Sequence, residues 1–292
     1  MKNILFIINP VSGGKSKDYV VKAIEEVMDK GRFSWEIIYT THAGHATELA
    51  RESQADIVVA VGGDGTVSEV ARGLAGSQKA FGIIPCGSGD GLAFHLGISR
   101  NPRKAVRILM EGDVVKMDHG LIDGTPFFCT AGVGLDAEVA WKFASSGVRG
   151  LWTYISLAWK IWQNFRPDTY KIDVDGKSIE TPAVFVTAGN ANQWGNQARI
   201  CSLASVRDGK LDLMVVKPFR TIEIPVLVWK LMTGKAHTSR RVEMLRGARI
   251  SISRTLEAPA HYDGDPCMKG KEITMEIVPS ALNVVAPKDR NI

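Results

Sequence analysis

The chain has 292 residues, 45% hydrophobic and 23% charged, a globular composition that excludes a disordered or fibrous protein. At this length a core forms without disulfide or metal staples. Lys plus Arg is 36 against 31 Asp plus Glu, and the resulting +5 is too mild for a dedicated nucleic-acid binder.

The first apolar run, Ile4–Ile8, stops at Asn9-Pro10, which is too short for a signal sequence and suits a buried strand. Strand and helix patterns then alternate. Asp18–Lys30 has helical periodicity, Trp35–Thr40 reads as a strand, Ala46–Glu52 as a helix and Ile57–Val61 as a β-branched strand. A helix from about Val67, a strand over Phe81–Pro85 and a helix over Pro102–Met110 complete the series. Apolar strands without alternation, separated by helices, predict an α/β domain with a parallel sheet covered on both faces. After Val114 the texture changes. Asp123-Gly124, Asp175-Gly176, Asp208-Gly209 and Asp263-Gly264 are hairpin signals and predict a mainly antiparallel second domain. Two helices, Gly150–Phe165 and Thr221–Thr233, interrupt it. The expected division is 1–120 and 121–292, with the boundary near Lys116–Asp123 and the last strand free to return to the first domain.

Cys86, Cys129, Cys201 and Cys267 form no C-x-x-C pair, so reduced thiols are expected. No stretch approaches the roughly 20 apolar residues that cross a bilayer. The expected address is the cytoplasm.

Three glycine loops follow strands of the first half. They are Asn9-Pro10-Val11-Ser12-Gly13-Gly14-Lys15-Ser16, Gly62-Gly63-Asp64-Gly65-Thr66 and Pro85-Cys86-Gly87-Ser88-Gly89-Asp90-Gly91. Glycine at a strand-to-helix turn lets the backbone approach a ligand, and the helix N-terminus offers free N–H groups to phosphate. In a parallel sheet such loops gather at the carboxyl edge, where ligands bind. Gly14-Lys15-Ser16 ends like a P-loop, but Asn9 occupies the leading glycine position. Gly132-Val133-Gly134-Leu135-Asp136-Ala137 fits a dinucleotide pattern yet lacks the ribose-binding acid about 20 residues on. Lys15 is either a phosphate contact or a solvated loop lysine.

These motifs, with Gly132-x-Gly134-x-Asp136, Asp208-Gly209-Lys210-Leu211-Asp212 and Asp263-Gly264-Asp265 in the same order, resemble the lipid kinase family that includes diacylglycerol and sphingosine kinases. The resemblance covers essentially the whole chain. It implies an N-terminal domain related to NAD kinases and phosphofructokinases, a β-sandwich-like C-terminal domain, and a cleft for ATP and a lipid head. ATP would be held by Asn9, Thr40, the Gly62, Gly63, Asp64, Gly65, Thr66 and Ser68 segment, Gly87 and Ser88. A structural Mg²⁺ would sit on Asp208 and carbonyls near Ser205 and Lys210, although Asp208-Gly209 reads equally as a type I′ turn.

By the same resemblance Asp263 is the base that accepts the proton of the lipid hydroxyl, and Asp64 orients Mg²⁺ against the phosphates. Asp265 stands where the family commonly has Glu and joins the metal set with one methylene less reach. Asp90 and Asp136 are expected at the lipid. Gly87-Ser88-Gly89-Asp90-Gly91-Leu92-Ala93 is nearer the sphingosine kinase pattern, and a carboxylate at Asp136 would pair with an ammonium, which favours a sphingoid base over diacylglycerol. A soluble, NAD-kinase-like acceptor and a non-catalytic binding protein are the alternatives. Lys235–Arg254 carries six cations and one acid, read either as a face for anionic headgroups or as a solvated basic surface. The helix over 150–165 is read as core rather than membrane contact. Nothing specifies a dimer, although edge strands leave a homodimer open.

Overall fold

A computed structural model describes residues 1–14, 16–146, 151–193 and 198–288, so Lys15 and Gly150 lie outside the described residues. The wholly apolar runs form central strands because only a sheet covered on both faces shields them from water. β1 (Lys2–Ile8), β3 (Ile57–Gly62) and β4 (Ala80–Pro85) bury nearly every side chain, and β2 (Phe33–Tyr39) lies at the edge. All pair in parallel, in the order β2-β1-β3-β4. The returning helices are α1 (Asp18–Val27), α2 (His45–Glu52), α3 (Asp64–Leu74) and, after β4, α5 (Pro102–Glu111). Between β4 and α5 lies α4 (Gly91–Leu96), which the sequence reading missed because six residues are too few to show a helical period. α3 starts at Asp64 rather than near Val67, so Asp64 occupies the first turn of a helix.

β5 (Asp113–Ile122) runs through the expected boundary and turns at Asp123-Gly124 into β6 (Thr125–Phe127). β7 (Thr130–Gly134) leads into α6 (Leu135–Ser145), then come α7 (Leu151–Trp162), β8 (Asp168–Val174), β9 (Lys177–Ala183), β10 (Phe185–Gly189) and β11 (Leu211–Val216). The remaining elements are α8 (Ile224–Met232), β12 (Val242–Gly247), β13 (Arg249–Ser253), β14 (Ala258–Tyr262), β15 (Asp265–Lys269) and β16 (Glu272–Ala286). β16 pairs in parallel with β4 through Asn283↔Ala80 and antiparallel with β5 and β13, so one ten-stranded sheet runs through both halves. Its register shifts between Val278 and Leu282, where Ser280 takes a positive φ of 54° and its N–H donates to Asp118.

The second sheet is antiparallel, β12-β11-β10-β7-β14-β15. Alternate residues Ala131, Val133, Val186, Ala188, Leu213 and Val215 pack against Ile172, Ile250, Ile252 and Met275 of the first sheet. Strand alternation therefore turns Thr130, Gly132, Thr187, Asp212 and His261 to the opposite face. Three Asp-Gly pairs, at 123, 175 and 263, have positive φ at both residues, as a type I′ turn requires. Asp208-Gly209 is different: it follows the long 190–210 segment into β11 and closes no hairpin.

The basic 235–254 segment is not one solvated cationic face. Arg241 pairs with Glu223, Arg246 with Asp208, and Arg254 is buried. Arg254 donates through Nε to the Gly270 carbonyl at 3.0 Å, through Nη1 to Pro259 at 3.1 Å, and through Nη2 to the Ala258 and Lys269 carbonyls. One guanidinium thus ties together four carbonyls at the open end of the β14–β15 pair. Arg254→Ala is expected to cost about 3 kcal/mol, since truncation strands several acceptors at once. Chemical denaturation of the two proteins measures it, and a loss below 1 kcal/mol would refute that role.

Candidate active site

The three glycine loops meet at the carboxyl ends of β1, β3 and β4, and their glycines are what let them touch. A Cβ on Gly13 would lie 2.1 Å from the Cys86 carbonyl oxygen, and one on Gly87 would lie 2.6 Å from Gly63 Cα. Asn9 Nδ2 donates to Thr66 Oγ1 at 3.0 Å, and its Oδ1 accepts from Val11 N, so Asn9 and Thr66 brace each other across two loops. Thr40 directly follows β2 beside β1, its N–H donating to the Ile8 carbonyl at 2.9 Å. Lys17, which the sequence reading passed over, is buried and its Nζ donates to the Ser12 carbonyl under the first loop.

Asp64 fastens the second loop to the third. Its Oδ2 accepts from Asp90 N at 2.9 Å and its Oδ1 from Gly91 N at 2.7 Å. Asp90 is itself buried in αL conformation, accepting from Gly87 N at 2.9 Å and from Arg100 Nε at 2.8 Å. Burial, then the neighbouring Asp64 charge, pushes its carboxyl above the usual range against the pull of those two donors. Ser88 is exposed at the tip, and its carbonyl accepts from Arg100 Nη2 at 2.8 Å. The structure therefore places Asp90 as a brace of the third glycine loop, not at a lipid.

Asp263 heads the β14–β15 turn at φ 50°. Its N–H donates to the Thr130 carbonyl at 2.8 Å. Oδ1 accepts from the N–H groups of Phe128 at 3.1 Å, Cys129 at 2.7 Å and Thr130 at 3.2 Å, and Oδ2 from Phe128 N at 2.9 Å and Ser68 Oγ at 3.0 Å. Burial raises this carboxyl, while the Cys129 and Phe128 N–H groups, the Ser68 hydroxyl and Thr130 N–H draw it down. The side chain is thus fixed, and Oδ2, with one amide and one rotatable hydroxyl, is the oxygen with room for an incoming proton. The Cys129 thiol is pushed up by burial and by both Asp263 and Asp64, so the two carboxylates act on one site from opposite domains.

Ser68 sits on α3, and its hydroxyl also accepts from Arg72 Nη2 at 3.1 Å. It couples α3 to Asp263 rather than lying free for a ligand. Removing the hydroxyl in Ser68→Ala takes away a donor that favours the ionised Asp263 carboxylate, so that carboxylate should ionise at a higher pH. The acid limb of kcat/KM is expected to move up by about one pH unit, the equivalent of one charge-assisted hydrogen bond. A pH–rate profile reads this directly, and an unmoved limb would uncouple Ser68 from the base.

Asp136 opens α6 on the far face of the second sheet. It is buried, accepting from Ala137 N at 2.8 Å, from the Thr187 hydroxyl and from His261 Nε2 at 2.9 Å. A Cβ on Gly132 would strike Thr187, Asp136 and His261 together, which explains glycine there better than any dinucleotide pattern. His261 Nδ1 is buried with no hydrogen-bond partner among the described residues. Neither Thr187 nor His261 carried a sequence signal. The position of His261, two residues before Asp263 with the strand alternation, was the available clue.

The four residues expected at a metal divide. Asp265 lies on β15 and Asp208 precedes β11, four strand spacings or about 19 Å apart, so they do not share an ion. Asp208 accepts from Lys210 N at 3.1 Å and from Arg246. Beside it Asp212, which the motif contained but the reading left unassigned, is buried; its Oδ2 lies 3.6 Å from Arg246 Nε and accepts no hydrogen bond among the described residues. Burial pushes its carboxyl up to about 6, Arg246 pulling it down and Asp208 adding to the rise. Gly209 N donates to Asp118 Oδ2 at 2.7 Å, fixing the turn. Two carboxylates, Asp208 and the buried Asp212, with carbonyls at Ser205 and Lys210 in the same segment, form an oxygen set that fits a hard divalent cation, with Arg246 supplying the positive charge there in this structure.

Comparison with known proteins agrees with this architecture. Residues 3–122 match the diacylglycerol kinase catalytic domain, and residues 129–286 match the YegS C-terminal NAD kinase beta sandwich-like domain. A diacylglycerol kinase from Bacillus subtilis is 26% identical over 99% of this chain and 98% of its own length. A Chromohalobacter salexigens protein named "Probable lipid kinase YegS-like" is 28% identical over 95% of this chain and 92% of its own. Among solved structures, a diacylglycerol kinase from Bacillus anthracis superposes with a TM-score of 0.76 at 21% identity, covering 98% and 97% of the two chains. An NAD kinase from Archaeoglobus fulgidus in complex with ATP shares the fold at TM-score 0.56 and 13% identity, covering 99% and 94%. Parallel-sheet and sandwich-like halves of this kind define a kinase fold. The chain belongs to the diacylglycerol kinase and YegS family of lipid kinases and is a phosphotransferase.

Proposed function

We propose that the chain transfers the γ-phosphoryl group of ATP to a hydroxyl of a neutral glycerolipid of the diacylglycerol type. The observation that carries this reading is the position of Asp263. It is a fixed carboxylate from the sandwich half, and Ser68 ties it to the helix that opens at Asp64 beneath the converging glycine loops. Phosphoryl transfer needs little beyond positioning and charge neutralisation. The loops and the α3 N-terminus offer backbone N–H groups to phosphate, and Asp263 Oδ2 takes the proton as the lipid oxygen attacks phosphorus. Mg²⁺, held by Asp208, Asp212 and carbonyls near Ser205 and Lys210, would supply positive charge and rigidity there.

The sphingoid-base expectation rested on the Gly87–Ala93 pattern and on a carboxylate at Asp136 free to meet an ammonium. The Asp136 carboxylate is spent on Ala137, Thr187 and His261, and Asp90 of the pattern is spent on Gly87 N and Arg100, so neither is free for an ammonium. The relatives named diacylglycerol kinase favour the glycerolipid. Labelled ATP, Mg²⁺ and mixed micelles offering diacylglycerol beside sphingosine test the assignment. Diacylglycerol is expected to take the label, and preferential labelling of sphingosine would overturn it.

A further inference from the structure

The turn between β2 and α2 carries a cluster that neither the glycine loops nor Asp263 draws on. His42, His45 and Glu48 recur at three-residue steps across the start of α2, and one ligating atom from each lies within 4.8 Å of the other two. His45 and Glu48 share a face because residues three apart on a helix are neighbours. His42 precedes the helix, so the chain must double back to bring it alongside. Gly44 does this at φ 86°, a conformation that favours glycine, and the two imidazole rings end stacked with their centres 4.8 Å apart.

The backbone under these side chains is fixed from α3. Glu69 accepts from Gly44 N at 3.0 Å and from Ala46 N at 3.2 Å, and its carbonyl accepts from the Thr47 hydroxyl at 2.9 Å. The rings are oriented as well. His42 Nδ1 lies 3.0 Å from the Ala43 carbonyl, which only accepts, so in the neutral ring Nδ1 carries the proton and Nε2 keeps its lone pair. His45 Nδ1 lies 3.2 Å from both the N–H and the hydroxyl of Thr41. It accepts from the amide in one tautomer and donates to the hydroxyl in the other, and the second leaves Nε2 free for an ion. A ring nitrogen held on a carbonyl or hydroxyl is the support that metal-bound histidine uses. The Glu48 carboxylate has no hydrogen-bond or ion-pair partner among the described residues. His42 and Glu48 are exposed and His45 half-buried, so an ion enters from solvent without any opening of the fold.

Two imidazoles and one carboxylate are the donor set of zinc sites that keep a fourth position for water. Mg²⁺ prefers oxygen and sheds its water reluctantly, so this nitrogen-rich set does not compete for the ion that Asp208 and Asp212 would take. We propose that His42, His45 and Glu48 bind a divalent transition-metal ion of the zinc type. The ion ties the turn before α2 to the first turn of that helix. Thr40 stands two residues before His42, and its N–H holds the Ile8 carbonyl next to Asn9, so the clamp borders the first glycine loop.

The test is titration of the full chain, stripped by dialysis against a chelator, with zinc chloride in competition with a chromophoric chelator. The wild type is expected to take up one equivalent that excess Mg²⁺ does not displace. His42→Ala and Glu48→Gln should each weaken zinc affinity about tenfold or more. Both residues are exposed, and unchanged thermal melting without metal shows that the variants are folded. Zinc should also slow hydrogen exchange at the 41–48 amides of the wild type and leave those of His42→Ala as they were. No uptake by the wild type overturns the proposal, and so does equal affinity in the wild type and both variants. Uptake that cysteine alkylation abolishes, or protection found at 205–212 instead of 41–48, places the ion elsewhere and overturns it too. None of these readouts depends on kinase activity.

Discussion

Asp263→Asn is expected to lower kcat at least a thousandfold while leaving ATP binding within twofold of wild type. The size follows from the role, since a positioned general base contributes about 10²–10⁴-fold, and Asp263 is the carboxylate of this turn that Ser68 ties to α3. The substitution is also the mildest available. An asparagine can point its oxygen at the Phe128, Cys129 and Thr130 N–H groups and its amide nitrogen at Ser68 Oγ, which then accepts. The turn loses only the second Phe128 N–H bond, the one to Oδ2 at 2.9 Å, while the proton acceptor is gone. Turnover with labelled ATP, nucleotide binding by titration and thermal melting separate the outcomes. Unchanged turnover would remove Asp263 as base, and a collapse in melting temperature would make it a structural staple of the 128–130 segment instead.

Much of this site was legible because glycine and aspartate report backbone geometry directly. Asn9-Pro10, Gly62-Gly63-Asp64-Gly65 and Gly87 each follow a continuous apolar strand, and strands of that kind must lie side by side with their loops at one edge. The parallel half and the antiparallel half followed from the same contrast between runs and Asp-Gly punctuation. What escaped was long-range pairing. β16 contributes to the core of both halves, yet its fifteen residues alternate without saying which strand lies beside them. The fate of each charge escaped for the same reason. Arg254 looked like one more cation of a basic stretch, and only the fold brings four carbonyls around it. Asp136 looked free until Thr187 and His261, 51 and 125 residues away, closed on it.

Gly87→Ala is expected to weaken ATP binding a hundredfold or more with little loss of overall fold. Its Cβ would stand 2.6 Å from Gly63 Cα and 2.8 Å from Asp90 Oδ1, distances that no side chain tolerates, so the second and third loops must part. The same separation strains the Asp64 bonds to Asp90 and Gly91, because those amides belong to the displaced loop. A shift near 1 Å in groups that position a reacting phosphate costs about 10²-fold, and here two loops shift together. ATP affinity is therefore expected to weaken a hundredfold or more, with kcat/KM falling at least as far. The sheet beneath is untouched, since the backbone pairing of β3 with β4 runs from Ile57↔Ala80 to Gly62↔Pro85, before Gly87, and melting should drop only a few degrees. Gly270→Ala supplies the comparison: no atom lies within 4 Å of its added Cβ, and both binding and melting should stay as in wild type. Full ATP affinity in Gly87→Ala would mean that the loops do not close on phosphate as their geometry indicates. A loss of binding together with a melting drop of 15 °C or more would place the contact in the fold instead of in the site.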